Sequence, residues 1–488
     1  MELLDKDLSS IQEVRNLIRR ASAAQKVLAD YSQAQVDALV EAMARTGEAN
    51  ATRLAEMAVE ETGFGKVQDK ITKNLIASKH LAESIRSMRT IGFISEDPVK
   101  KMQEVAVPYG VVAGLVPSTN PTSTAIYKSI ISIKAGNAVI ISPHPSALKC
   151  ISETVRVLRE TLQSLGAPAD LINVMSQPTL EGTSELMKNS GTGIILATGG
   201  SAMVKAAYSS GNPALGVGPG NVPAFIERTA DIKKAVSYVL MSKTFDNGTV
   251  CASEQHVVTE HVIADQVKAE MIAQGCYFLN EVETAKIERV IMGPKGGLNA
   301  KIVGKPAVEI ARMGGLEIPA DTRVLVAEQG RECVGKQYPF SWEKLSPLLG
   351  FYRTTDAHEA CELCLELLNY EGAGHSLAIH TQNDDLVREF ALKKPVSRLV
   401  VNTPSTHGAV GATTGLPPAF TLGCGSVGGS ATSDNVTPLH LFNKRYVAYG
   451  IREPQAPSLA QAAANQSSAT EMDIEAITRM VIERLKAL

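Results

Sequence analysis

The sequence predicts an α/β fold built from two doubly wound, Rossmann-type domains, and three observations lead there. Short β-branched runs recur at Val111 to Val116, Ala138 to Ser142, Gly193 to Thr198, Val222 to Ile226 and Arg398 to Asn402. These runs are nearly continuous in apolar residues, as in strands covered on both faces. Helical patterns lie between several of them, as in Ser152 to Leu165 and Ile232 to Met241, and 488 residues leave room for two such units.

The chain opens with helices. Ile11, Val14, Leu17 and Ile18 repeat at helical spacing, as do Val36, Leu39, Val40 and Met43. Residues 7–90 are therefore expected to pack as helices and to carry no chemistry. From about 105 the strands take over and alternate with helices.

The end of the chain differs in kind. Residues 453–470 carry one charge and little to bury, which predicts a flexible linker. Residues 471–488 then recover a pattern: Ile474, Ile477, Val481, Leu485 and Leu488, with Met480 nearby, form an apolar stripe. Acidic Glu471, Asp473 and Glu475 open this helix and Arg479, Arg484 and Lys486 close it, the order that suits the helix dipole.

Composition removes several classes of function. Hydrophobic residues make up 44% and charged residues 20%, which is ordinary for a globular protein. Lys+Arg 48 against Asp+Glu 51 leaves a net charge of -3, so there is no global basic field to attract nucleic acid or an anionic membrane, and neither partner is expected. The N-terminus lacks a basic start followed by an apolar run, and no stretch approaches the roughly 20 apolar residues of a membrane span. A cytoplasmic protein is expected. Seven cysteines without regular spacing read as reduced thiols.

Cys251 is the strongest candidate for chemistry. It follows a Gly-containing loop (Phe245 to Val250) and precedes the strand-like His256-Val257-Val258, a setting that can put a thiolate at a cleft edge. Cys361 and Cys364 have CxxC spacing but lie in a helical stretch with no second pair, so they read as core residues, and no metal site is expected. Three further bends follow or precede strands: Pro117-Ser118-Thr119-Asn120-Pro121, Thr198-Gly199-Gly200-Ser201, and Gly216 to Asn221. An asparagine in the first can offer an amide donor to an oxyanion, and bare glycine backbone in the second admits a phosphate or a ring. His375 is a candidate proton relay, because imidazole titrates near neutrality.

This order of motifs resembles the aldehyde dehydrogenase superfamily from about residue 10 to 450. The resemblance implies that Cys251 is the nucleophile, that Asn120 holds the oxyanion, and that Pro117, Ser142, His144, Thr198, Gly199, Gly200, Gly218 and Glu343 bind NAD. Glu343 is the expected ribose contact, although Leu345 stands where the family has Phe. In hydrolytic members a glutamate some 34 residues before the cysteine activates water; that position is Val217 here. The asparagine is also displaced by one place, since Thr119 occupies the third position of the Pro-to-Pro stretch.

Loss of the water-activating base favours an acceptor that is already nucleophilic, and a thiol with pKa about 8.5 qualifies where water does not. The branch resembled is the CoA-acylating aldehyde dehydrogenases, with Ser142-Pro143-His144-Pro145 and Gly374 to Thr381 among its marks. It implies a reversible oxidation of a short aldehyde with NAD and coenzyme A, acetaldehyde first, with propanal and sulfoacetaldehyde as alternatives. A hydrolytic NAD enzyme is the other reading, and a catalytically dead scaffold a third. The implied plan is an NAD-binding domain over 1–225 with an oligomerisation arm near 96–110, a catalytic domain over 226–420, and a C-terminal return and oligomerisation strand over 421–452. The arm and a strand near 446–451 are expected to pair across subunits of a dimer or dimer of dimers. The helix 471–488 resembles the encapsulation peptides of bacterial microcompartments, which implies shell proteins or neighbouring enzymes as partners and a place inside such a shell.

Overall fold

The computed structural model describes residues 5–294, 296–453 and 459–487, with the side chains of 459–472 outside this description. Five helices come first: α1 (Lys6–Leu28), α2 (Gln33–Ala49), α3 (Ala51–Thr62), α4 (Val67–Leu75) and the short α5 (Leu81–Ile85). Ser32 caps α2 through a reciprocal box with Gln35, and Gly63 ends α3 in the left-handed conformation. Their inward stripes include Val14, Leu17, Val36, Leu39 and Met43, all buried as their spacing predicts.

The strands are β1 (Phe93–Asp97), β2 (Met102–Pro108), β3 (Val111–Val116), β4 (Ala138–Pro143), β5 (Ile172–Val174), β6 (Ile194–Thr198) and β7 (Ala214–Val217). They continue as β8 (Val222–Ile226), β9 (Glu254–Glu260), β10 (Cys276–Leu279), β11 (Val324–Gln329), β12 (Leu348–Thr354), β13 (Gly374–His380), β14 (Val396–Val401) and β15 (Phe442–Ala448). Two parallel sheets result, one in the order β5-β4-β3-β6-β7 and one in the order β10-β11-β12-β9-β8-β13-β14. β3 is buried along its whole length and central, with Val112 aligned between Val139 and Ile194. The chain reverses its direction of strand addition between β3 and β6, which is where a doubly wound sheet opens a crevice at its carboxyl edge.

Two bounds differ from the expected plan, at β8 and at the C-terminal strand. β8 belongs to the second sheet, so that sheet begins at Val222, before the boundary expected at 226. Ala419, Leu422, Val436 and Leu441 pack into the same core as β3 and β4, so the return segment completes the first sheet's layer. The C-terminal strand runs Phe442–Ala448 rather than 446–451, and β15 pairs with β2 of the same chain in a three-stranded sheet ordered β1-β2-β15. The arm 96–110 and the late strand are thus joined within one protomer.

By internal contacts the chain forms two units, one of 1–94 with 106–444 and one of 95–105 with 445–488. The second unit carries a helix over Leu459–Lys486, so 459–470 is helical where a linker was expected; residues 454–458 of that linker lie outside the described residues. An alanine- and glutamine-rich run has good helix propensity even with nothing to bury, and polarity alone misread it. Among the described residues, no helix is long and apolar enough to cross a membrane.

Candidate active site

A cleft of about 480 Å³ lies where the carboxyl ends of β3, β4, β6 and β7 meet the loops that lead into β9 and β12. Pro117 and Asn120 enter it from the end of β3, Ser142 and His144 from β4, and Thr198, Gly199 and Gly200 from β6. Val217 and Gly218 follow from β7, and Cys251 and Glu343 close the other side. Ten of the eleven residues singled out from sequence therefore share one cavity.

His375 is the exception. It is fully buried at the start of β13 and does not line the cleft. Its Nδ1 lies 3.0 Å from Ser376 Oγ, while Nε2 has no partner. Burial first, and the nearby Arg398 second, hold the imidazole well below its ordinary value, so it is neutral. A side chain on Gly220 would put Cβ 3.3 Å from His375 Cδ2 and 1.9 Å from the Cys251 carbonyl oxygen, so only glycine fits between them. His375 thus stands against the Cys251 loop, one layer behind the wall of the cleft.

Cys251 is partly exposed to the cleft. Burial, then Glu343 and Cys424, push its thiol up to about 12, with Arg398 opposing them. At rest it is protonated. Glu343 Oε1 accepts from Gly220 N at 2.9 Å, and its own N donates to Glu371 Oε2 at 3.0 Å. Burial and Glu371 raise Glu343 to about 8, so its carboxyl holds a proton for much of the neutral range. Leu345, beside it, lines the cleft at φ 45 with its carbonyl bonded to Gly304 N.

The other side of the cleft suits a dinucleotide. A Cβ on Gly200 would meet nothing, and one on Gly199 only Met203 at 3.7 Å, so bare backbone faces the cavity. The helix Ser201–Tyr208 starts there with no side-chain cap, leaving its first N–H groups for an anion. Ser142 Oγ lies 2.9 Å from Thr183 Oγ1, and the His144 ring is turned by contacts of Nδ1 with Ser146. Among the described residues lining the cleft, Glu343 is the sole carboxylate and there is no lysine or arginine.

Sequence reasoning missed a cluster beneath Asn120. Lys70 and Lys73 of α4 are each 2% exposed, and both bond to Asp246 Oδ2 in the loop before Cys251. Helix α4 therefore reaches the segments that carry Asn120 and Cys251. Burial alone would raise Asp246, but Lys73 and Lys70 outweigh it and hold the carboxylate below its usual range. Two lysines on the inward face of a helix, at 70 and 73, were a legible signal, since a buried ammonium needs an anion. Nothing local in the sequence says that Asp246 is that anion. Arg398 was also missed; it donates to His375 O at 2.9 Å and Gly423 O at 2.7 Å.

Comparison with known proteins gives consistent relatives. The aldehyde dehydrogenase family model matches residues 4–325. The bifunctional aldehyde-alcohol dehydrogenase AdhE of Escherichia coli is 43% identical over 446 residues, covering 90% of this chain and 50% of that protein. This chain thus spans about half the length of that relative. An acetylating aldehyde dehydrogenase from Geobacillus thermoglucosidasius has a crystal structure that superposes with a TM-score of 0.91 at 51% identity, covering 93% of this chain and 100% of that one. A propionaldehyde dehydrogenase from the Clostridium phytofermentans fucose utilisation bacterial microcompartment superposes with a TM-score of 0.82 at 30% identity, covering 89% of this chain and 97% of that one.

Proposed function

Because the chain belongs to the aldehyde dehydrogenase family, we propose that it is a CoA-acylating member that oxidises a short, uncharged aldehyde, acetaldehyde first, to its acyl-CoA. The observation that carries this is the cleft: a cysteine opposite a glycine-lined dinucleotide face, with Val217 buried where a water-activating glutamate would stand. The lack of lysine or arginine among the described lining residues favours acetaldehyde or propanal over sulfoacetaldehyde. A hydrolytic enzyme would have to draw on Glu343, whose carboxyl is already bonded to Gly220 N.

In the proposed reaction the partly exposed Cys251 thiol gives its proton to solvent, its sulfur bonds to the aldehyde carbon, and the electron pair of the carbonyl bond moves to the oxygen, which becomes an oxyanion. Asn120 Nδ2 and the Cys251 backbone N–H donate to that oxygen. NAD, where bound, would supply the acceptor for the hydride that leaves the aldehyde carbon. Collapse of the oxyanion leaves an acyl thioester on Cys251. The thiol of coenzyme A then attacks the thioester carbon, releasing acyl-CoA and the free cysteine. Pro117, Ser142, His144, Thr198, Gly199, Gly200, Gly218 and Glu343 are the residues we assign to NAD. His375 stays outside the reacting atoms. Each step is reversible.

The helix Leu459–Lys486 supports a further part of this reading. Its Ile474, Ile477, Val481 and Leu485 are 60%, 57%, 51% and 67% exposed and lie along one stripe, while Leu488 falls outside the described residues. Such a stripe gains stability by docking on another surface. One similar structure comes from a microcompartment enzyme, and we extend that association to this chain, with shell proteins or neighbouring enzymes as the binding surface. The edge strand β15, which carries the exposed Tyr446, supports a homo-oligomer in which a second copy covers that edge. Deleting 459–488 is expected to leave NADH formation and the assembly state by light scattering unchanged while abolishing co-purification with shell proteins. Ile477→Glu with Val481→Glu is expected to do the same. Loss of activity or of assembly on deletion would make the helix part of the enzyme's own fold.

A further inference from the structure

We infer that Lys73 is a positioning residue for the reaction: one buried ammonium, bonded to the Asn120 side chain, to Asp246 and to the Thr249 carbonyl, fixes the oxyanion donor and the nucleophile loop relative to each other. The inference rests on the acylating reading above and deepens it.

An ammonium has three N–H donors and no acceptor. Lys73 Nζ directs them to Asn120 Oδ1 at 2.6 Å, to Asp246 Oδ2, and to Thr249 O at 3.3 Å. The carbonyl end of the Asn120 amide is thereby turned to the lysine. The NH2 end of the amide lies on the other side, with one N–H 3.3 Å from Thr119 Oγ1 and the other left for an oxyanion. An amide without this partner can flip, and its oxygen would then repel the developing negative charge.

The same cluster holds both backbones. Lys70 Nζ donates to Thr119 O at 3.0 Å, one residue before Asn120. Asp246 accepts from Lys70 Nζ at 2.9 Å, from Thr249 Oγ1 at 2.7 Å and from Lys66 N at 2.7 Å, and its own N donates to Asp69 Oδ2 at 2.7 Å. Asp246 and Asn247 turn the loop at φ 51 and 50, a left-handed pair that persists only where its surroundings hold it. Gly65 is required beside it, since a Cβ there would lie 1.8 Å from Asp246 Oδ1. Helix α4 therefore clamps the segment bearing Asn120 to the segment bearing Cys251. Burial keeps the Lys73 ammonium below the usual lysine value and Asp246 opposes this, so its charge depends on that contact.

The test uses the intact enzyme and a short aldehyde with NAD and CoA. Lys73→Met keeps much of the volume and removes every donor. Its kcat is expected to fall about 10²-fold, the scale for a misplaced or lost oxyanion donor, with KM for NAD and CoA within about threefold. In an Asn120→Ala background the same change should cost less than about a further threefold, because the amide that Lys73 orients is gone. Lys73→Gln, which retains an N–H donor, should recover part of the rate. Wild-type kcat in Lys73→Met, or full additivity with Asn120→Ala, would overturn the inference. If neither Lys73 variant folds cooperatively, the lysine is a residue of the fold and the inference falls. Lack of wild-type activity would sink the acylating reading and this inference together; an active wild type with unaffected variants would sink this inference alone.

Discussion

Cys251→Ala is expected to lower NADH formation by at least about 10⁴-fold, the scale on which removal of a catalytic nucleophile is felt. The substitution deletes one sulfur from a partly exposed position, so stability and NAD binding should stay close to those of the wild type. The other six cysteines cannot replace it. Cys150, Cys276, Cys361, Cys364 and Cys424 are buried, and Cys333 lies near Glu332 away from the residues that line the cleft. Two measurements check the assignment: the absorbance rise of NADH, and the mass of the protein after incubation with aldehyde and NAD without CoA. The wild type should gain the mass of one acyl group and the variant none. A variant that retains a tenth of the wild-type rate would remove Cys251 from the mechanism.

Asp246→Ala is expected to have the largest effect on stability. The carboxylate is wholly buried between Lys70 and Lys73, and its removal leaves two buried ammonium groups without an anion. Breaking a buried pair in this way costs about 3–5 kcal/mol. Alanine would also have to hold φ 51, an unfavourable conformation for a residue with a Cβ. The wild type should show the linked pH effect. Because Asp246 is held below its unfolded value, its contribution is present above the carboxylate range and is lost as pH falls through the folded value. Acid should therefore destabilise the wild type in that range, and the Asp246→Ala enzyme, already lacking the contribution, should respond less. Denaturant melts at neutral and acid pH measure both. Equal stability of the two proteins at neutral pH would contradict the buried cluster.

Much of this was legible in the sequence because apolar runs and periodicity report burial directly. β3 and β8 span the residues that their β-branched runs predicted, and Cys251, Asn120, Thr198 and Glu343 fall in one cleft because strand ends of parallel sheets converge there. The pairing of Lys70 and Lys73 with Asp246 was not legible, since the aspartate lies 176 and 173 residues from the two lysines and the contact is a product of the tertiary fold. The placement of His375 depends on tertiary packing in the same way. A histidine at a strand start has the right chemistry for a relay, but whether its ring faces the cleft depends on how Gly220 and Cys251 pack against it. The tail helix began earlier than its apolar stripe because helix propensity does not require a buried face.

The central claim is that the thioester on Cys251 is resolved by a thiol and not by water. NADH formation from acetaldehyde and NAD, followed with and without CoA, tests it most directly. With CoA the rise should be sustained and acetyl-CoA should accumulate. Without CoA it should stop after a burst no larger than the enzyme concentration and continue only slowly, because Val217 cannot activate water. Val217→Glu should raise that slow phase. Rapid, sustained production of free carboxylate by the wild type without CoA would contradict the account.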